Sequence, residues 1–233
     1  MPTDMAITNT DFSLSLLRLM HLVSPSLPIG GFTYSQGIEW AVETGWIRTA
    51  EDLEAWLGDQ LRNSLTLLDL PLLARMHRAA SVGDQDAMVP WIDWLLAARE
   101  TSELRAEESN RGRALADLLI AWELPGARDW KPVLVRSQAA GFAYAAAAWQ
   151  IPIRDAALGY AWGWLENLDL AAVKIIPLGQ TRGQQALKHL IEGIPAAVDG
   201  ALCMGDDEIG ASSPALAIAS SAHETQYTRL FRS

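Results

Sequence analysis

Along most of the chain the apolar residues recur three and four positions apart, and no run alternates apolar with polar residues between hairpin turns. The pattern predicts an all-α fold of nine or ten helices. Leu14, Leu17 and Leu22 mark a first helix, which SPSLPIGG must end, since two prolines and two glycines cannot continue it. Residues 35–43 read as a short helix stopped by Gly45. Thr49, with Asp52 three positions on, is the N-cap of the next, LEAWLGDQLRNSLTLL. Pro71 either kinks that helix or opens the one after it. From Asp84 a long helical region carries Trp91, Trp94, Leu95 and Ala98 on one stripe and resumes with Leu115, Leu118, Leu119 and Trp122.

Between those stripes lies ARETSELRAEESNRGR, with four Arg and four Glu. Spacings such as Arg99 to Glu103 and Glu107 to Arg111 suit i, i+4 pairing, so it reads first as a solvated, self-paired face, with a polar interface as the sharper alternative. Residues 124–132 read as a turn-rich break. The Ala-rich SQAAGFAYAAAAWQ then suits close helix packing, and a further helix spans residues 153–168. VKIIPLGQTRGQ leads into another helix, and Pro195 interrupts or bends the chain after it. Residues 205–222 are rich in small side chains and read as a mobile connector or weak helix before the aromatic, Arg-containing end. The expected organisation is a helical body over residues 1–204 and a flexible connector and partner-docking tail over 205–233.

Composition narrows the function. The 233 residues carry 18 Lys plus Arg against 28 Asp plus Glu, a net charge of −10, which disfavours nucleic acid and anionic membrane as partners. Cys203 is the single cysteine, so an internal disulfide or multi-thiolate metal cage is excluded. The first residues lack a basic start and an apolar core, and the two long uncharged stretches are broken by Pro, Gly or polar residues, so a cytoplasmic location is expected. No GxGxxG, no Gly-Lys of a phosphate loop, no GxSxG and no HExxH occurs. The four histidines stand far apart, with His77 and His189 read as ordinary helix residues, and His223 beside Glu224 is a weak metal signal. Neither a metal site nor a cofactor is expected. The ten Trp residues, at helical spacings, read mainly as helix-packing residues.

Three segments carry polar and glycine content beyond what packing requires. The first, SPSLPIGGFTYSQGIEWAVE, joins stiffening prolines to Gly30 and Gly31 and sets Phe32 and Tyr34 beside Ser35, Gln36 and Glu39. It reads equally as a recognition surface or a rigid interhelical turn. The second, VKIIPLGQTRGQ, places Lys174 in an apolar run ahead of Gly179, Gln180, Arg182, Gly183 and Gln184. The third, HETQYTRLFRS, is too apolar to stay in water and is expected to dock.

In these segments, and in this order, the chain resembles the urease accessory protein UreF family, whose members carry SPxLPIGGFxYSQGxEWAVE, VKxxPLGQTxGQ and HETQYxRLFRS. The likeness spans residues 16–233, with Thr33 and Thr228 where many relatives have Ser and no match over 205–221. It implies an all-helical, dimer-forming chaperone with no reaction of its own. Such a protein binds UreD (also called UreH), recruits the GTPase UreG and helps deliver nickel to apo-urease. By motif match it implies partner contacts at Pro28, Gly30, Gly31, Phe32, Tyr34, Ser35, Gln36 and Glu39. A second set is Lys174, Pro177, Gly179, Gln180, Arg182, Gly183 and Gln184, with UreG facing Lys174 and Glu39. The tail contacts are His223, Glu224, Gln226, Tyr227, Arg229, Leu230, Phe231 and Arg232, expected to order on UreD. The competing reading is a helical enzyme or ligand-binding regulator with a site between helices around Tyr34, Trp40 and Lys174.

Overall fold

The computed structural model describes residues 9–176, 180–210 and 213–233, and among these it is helical throughout, with no strand. The helices are α1 (Asn9–Leu22), α2 (Ile38–Glu43), α3 (Ala50–Gln60), α4 (Leu70–Ser81), α5 (Gln85–Ala98), α6 (Ser102–Ala121), α7 (Ala127–Leu134), α8 (Gln138–Ala148), α9 (Ile153–Ile175), α10 (Gln180–Ile191), α11 (Ile194–Cys203) and α12 (Pro214–His223). The all-α bundle predicted by the periodicity is therefore the fold. No described helix is long and apolar enough to cross a membrane.

Local chemistry explains most boundaries. Asp52 N–H donates to Thr49 Oγ1 at 3.1 Å and Thr49 N–H to Asp52 Oδ2 at 3.0 Å, a capping box with Asp in place of the usual Glu. Asp84, Thr101 and Ser137 cap α5, α6 and α8 in the same way. Helix α3 runs into a π-helical stretch, Leu61–Asp69, which passes with helical backbone into α4, and Pro71 sits in the first turn of α4. Pro71 has no N–H to offer the carbonyl four residues back, that of Leu67. The N–H of Gly210 donates to that carbonyl instead, at 3.1 Å.

At the centre α4, α6 and α8 pack together around Leu70, Leu72, Leu73, Met76 and Leu115, all fully buried. Small residues on α6 and α8 permit the close approach expected of the Ala-rich run. A Cβ on Gly112 would lie 2.6 Å from the Ser137 carbonyl carbon, and one on Gly141 would lie 2.9 Å from Leu115 Cδ2. Because the first obstacle is backbone, Gly112→Ala is expected to cost about 1–3 kcal/mol. A thermal melt of that variant, set beside Gly83→Ala where a Cβ meets nothing within 4 Å but the backbone φ is +75°, separates contact from backbone strain. The tryptophans pack as expected: Trp130 is buried, and Trp56, Trp91, Trp122, Trp149, Trp162 and Trp164 lie partly buried against the core.

Four elements differ from the sequence reading. Helix α2 starts only at Ile38, because Gln36 (φ 50°) and Gly37 (φ 79°) are left-handed. The expected break at 124–132 holds α7, with Gly126 (φ 77°) as its N-cap and Ala127, Trp130, Val133 and Leu134 buried on one face. Helix α9 continues to Ile175. Residues 214–223, expected to lie in a connector or weak helix, form α12, which packs on α2 so closely that a Cβ on Gly37 would lie 3.0 Å from Ala219 Cβ.

The charged segment is the main correction. It is broken at residues 99–101 and much of it faces inward. Arg99 donates to both carboxylate oxygens of Asp69, the nearer contact being a close Nη2 to Oδ1 pair and the other 3.2 Å, and to Glu108 Oε2 at 3.3 Å. Glu108 Oε1 accepts from Ser137 Oγ at 2.7 Å and from Ala139 N–H at 3.0 Å, tying α6 to the start of α8. Burial alone would push the Glu108 carboxyl up, but the Arg99 guanidinium and these donors outweigh it and hold it below the usual range. For Asp69 burial wins over Arg99 and the carboxyl sits above its usual range. The Arg99 to Glu103 pairing is replaced by this longer-range set, whereas Glu107 to Arg111 forms as expected, at 2.8 Å, though largely buried.

Candidate functional site

The loop between α1 and α2 is built from turns that only its residue types allow. Gly30 is left-handed (φ 75°), residues 31–33 form one short 3-10 turn, and the left-handed pair Gln36 and Gly37 redirects the chain into α2. A Cβ on Gly31 would lie 3.0 Å from the Asn167 amide on α9, so this glycine allows the loop to lie against that helix. Pro28 and Phe32 are exposed, while Tyr34, Ser35 and Glu39 are buried. Gln36 is fixed from both ends: its amide donates to Glu107 at 3.1 Å, and its oxygen accepts from Trp164 Nε1 at 3.2 Å. Tyr34 Oη accepts from Asn110 on α6.

The terminal segment closes over this loop. Glu39, on the first turn of α2, accepts the N–H of Leu230 at 2.6 Å on one oxygen and that of Phe231 at 2.9 Å on the other. Arg232 N–H donates to Thr33 O at 2.8 Å, and the backbone N–H and hydroxyl of Ser35 both donate to Ser233 O at 2.6 Å. The side chain of His223 is fully buried between Glu39 and Glu103, at 3.2 and 2.7 Å. Glu103 also accepts from Arg229 at 2.8 Å. Glu224 caps the start of α6 by accepting from the hydroxyl and N–H of Ser102, at 2.6 and 2.9 Å, and the hydroxyl contact leads in holding its carboxyl below the usual range. Gln226 donates to Glu43 on α2.

Lys174, near the end of α9, brings in the second segment. Its Nζ lies 5.9 Å from the Phe32 ring centroid and 5.8 Å from that of Phe231, within cation–π range of one ring from the loop and one from the tail. Gly183 on α10 packs against Val173 and Asp169, with no room for a side chain: a Cβ would lie 2.7 Å from Val173 Cγ2. Arg182 and Gln184 are exposed on α10. Pro177 and Gly179 lie outside the described residues, as does the side chain of Gln180. Leu230 is 67% exposed and Tyr227 fully so, and with Phe32 they give the closed tail and loop an apolar exterior.

The loop, the α9 end carrying Lys174 and the tail thus meet on one face. Within it the roles divide: Ser35, Gln36, Glu39 and His223 are consumed in holding the face together, and Phe32, Lys174, Tyr227, Arg229 and Leu230 remain exposed on it. Glu103 and Glu107, which the sequence reading placed on a solvated face, are missed members of the site. The signal available for them was weak, an acidic first turn on α6 and one i, i+4 pair.

A polar cavity of about 70 Å³ lies beneath the face, lined by Gln36, Gln60, Asp69, Arg99, Glu107, Arg111 and Tyr160 among others. Tyr34, Trp40 and Lys174 do not line it. That separates the cavity from the inter-helix ligand site expected around those three residues. Among the described residues no group of three or more His, Cys, Asp or Glu is placed to hold a metal ion.

Comparison with known proteins gives these motifs a family. The UreF family model matches residues 47–191. Urease accessory protein UreF of Pseudomonas putida (strain W619) is 53% identical over 220 residues, covering 94% of this chain and 98% of its own. The protein of the same name from Pseudomonas entomophila (strain L48) is 52% identical over 225 residues, covering 97% and 100%. That of Escherichia coli O157:H7 is 45% identical over 217 residues, covering 93% and 97%. With a family match over more than half its length and such relatives over nearly all of it, the chain belongs to the UreF family of urease accessory proteins.

Proposed function

We propose that this chain is a cytoplasmic adaptor in urease maturation, bridging UreD/UreH and the GTPase UreG so that nickel reaches apo-urease, and that it works as a homodimer. The observation that carries the reading is the convergence of loop, α9 end and tail on one face with an apolar exterior around Lys174. A face built mainly from hydrogen-bonded backbone and exposed apolar side chains suits recognition of another protein, because it combines a fixed shape with desolvatable area. Residues 205–233 serve UreD docking, and Lys174 faces UreG. Glu39 acts on UreG through the tail it positions, being itself buried and fully bonded. Through this contact the adaptor gates GTP hydrolysis or nickel release.

The test is co-purification from cells expressing the urease accessory set. Tagged full-length protein is expected to recover UreD and UreG, and removal of residues 222–233 to abolish UreD recovery. That truncation also removes the buried His223, so Leu230→Asp, at an exposed position, provides the second arm and is expected to weaken UreD recovery at least tenfold with an unchanged melt. Undiminished recovery in both variants overturns the docking assignment, and recovery of a small molecule with no protein partner overturns the adaptor reading.

A further inference from the structure

We infer that His223 is a doubly protonated imidazolium whose charge keeps the terminal residues seated on α2. The ring is completely buried, with Nδ1 2.7 Å from Glu103 Oε2 and Nε2 3.2 Å from Glu39 Oε2. Ionised carboxylate oxygens only accept hydrogen bonds, and a neutral imidazole has a single N–H. A neutral ring would therefore turn a bare lone pair on one of the two carboxylates at a ring that no solvent reaches, whereas the imidazolium satisfies both.

The charges around the ring agree. Facing it are Glu39 from α2 and Glu103 from α6, and Arg229 from the tail pairs with Glu103 at 2.8 Å. On the ring's own helix boundary, Glu224 is turned to the start of α6, at the Ser102 hydroxyl and the N–H groups of Ser102 and Glu103. With the ring charged, two acids are matched by two bases. Without that proton, two carboxylates share one neutral ring, and one of them is the group that receives the N–H of Leu230 and Phe231. Ring charge and tail seating are thereby coupled, and loss of the ring proton loosens the seat. The coupling is a property of the isolated chain and holds whatever partner uses the face.

The experiment is ¹⁵N NMR of the full-length protein labelled at histidine, with the His223 signals identified by their loss in His223→Gln. Two protonated ring nitrogens at pH 7 are expected; one bare nitrogen would overturn the assignment, since the proton would then reside on a glutamate. Amide hydrogen exchange reads the coupling. In His223→Gln the Leu230 and Phe231 amides are expected to exchange at least tenfold faster while the α8 amides keep their protection. In the parent chain, corrected for intrinsic rates, the same two amides are expected to lose protection once the ring signals show the second proton gone. Protection unaltered by both changes refutes the coupling. Should the variant not fold, the parent chain's own exchange series decides the coupling, and the imidazolium is read from signals identified by sequential assignment.

Discussion

Replacing Arg99 with alanine is expected to lower the melting temperature by about 6–20 °C. The guanidinium is the shared partner of Asp69 and Glu108, and both carboxylates are buried with side chains 5% and 8% exposed. Removing one member of such a set leaves buried charge without compensation, at a cost of about 3–5 kcal/mol. In a chain of this size each kcal/mol moves the melting temperature by about 2–4 °C. Because Glu108 also organises the start of α8 through Ser137 and Ala139, the damage is expected to spread to the central helices rather than stay at the α5 to α6 junction. Arg113→Ala, an exposed arginine bonded to Asn110, is the matched control and is expected to change stability by less than about 1 kcal/mol. Calorimetry of the two variants decides the matter, and equal melts would mean that Asp69 and Glu108 are solvated after all.

The second large effect is expected at Glu39. Its two oxygens receive two successive backbone N–H groups, one each, so both must be acceptors. Glu39→Gln keeps the size and shape but substitutes an NH2 for one oxygen, which then confronts an N–H with a donor. Hydrogen bonds to a charged group contribute roughly 1.5–3 kcal/mol each. Losing one and neutralising the other is therefore expected to shift the tail toward release about a hundredfold. The core does not depend on these bonds, so the bundle is expected to melt within a few degrees of the parent while UreD recovery falls at least tenfold. Glu39→Asp, which retains two acceptors but draws them back, is expected to fall between. If Glu39→Gln frees the Leu230 and Phe231 amides yet leaves partner recovery intact, the tail's seated form is not the form a partner reads.

Much of this was legible in the chain. Helical spacing identified the bundle, Thr49 with Asp52 announced a cap, and the Gly-rich loop, the Lys174 segment and the terminal dozen each stood out by composition. Their meeting was not legible. Ser35 touches Ser233 and Glu39 touches Leu230 across most of the chain, and no local pattern encodes contacts at that separation. The arginine and glutamate run over residues 98–113 misled for a physical reason. Pairing at i, i+4 marks a solvated helix equally well when the same groups are consumed by partners elsewhere, as Arg99 is by Asp69 thirty residues before it. Residues 124–132 misled in the opposite sense, since Gly126 and Pro132 look like breakers until Gly126 is seen to be an N-cap and Trp130 an anchor.

The join between Ser35 and Ser233 spans 198 positions of sequence. It forms only once the intervening helices have brought its two halves together, since contacts of such span come late and at a high entropic cost. The face assembled from loop and tail is therefore among the late features of folding. The same few hydrogen bonds that shape the face thus depend on the packing of the helices that lie between its two ends.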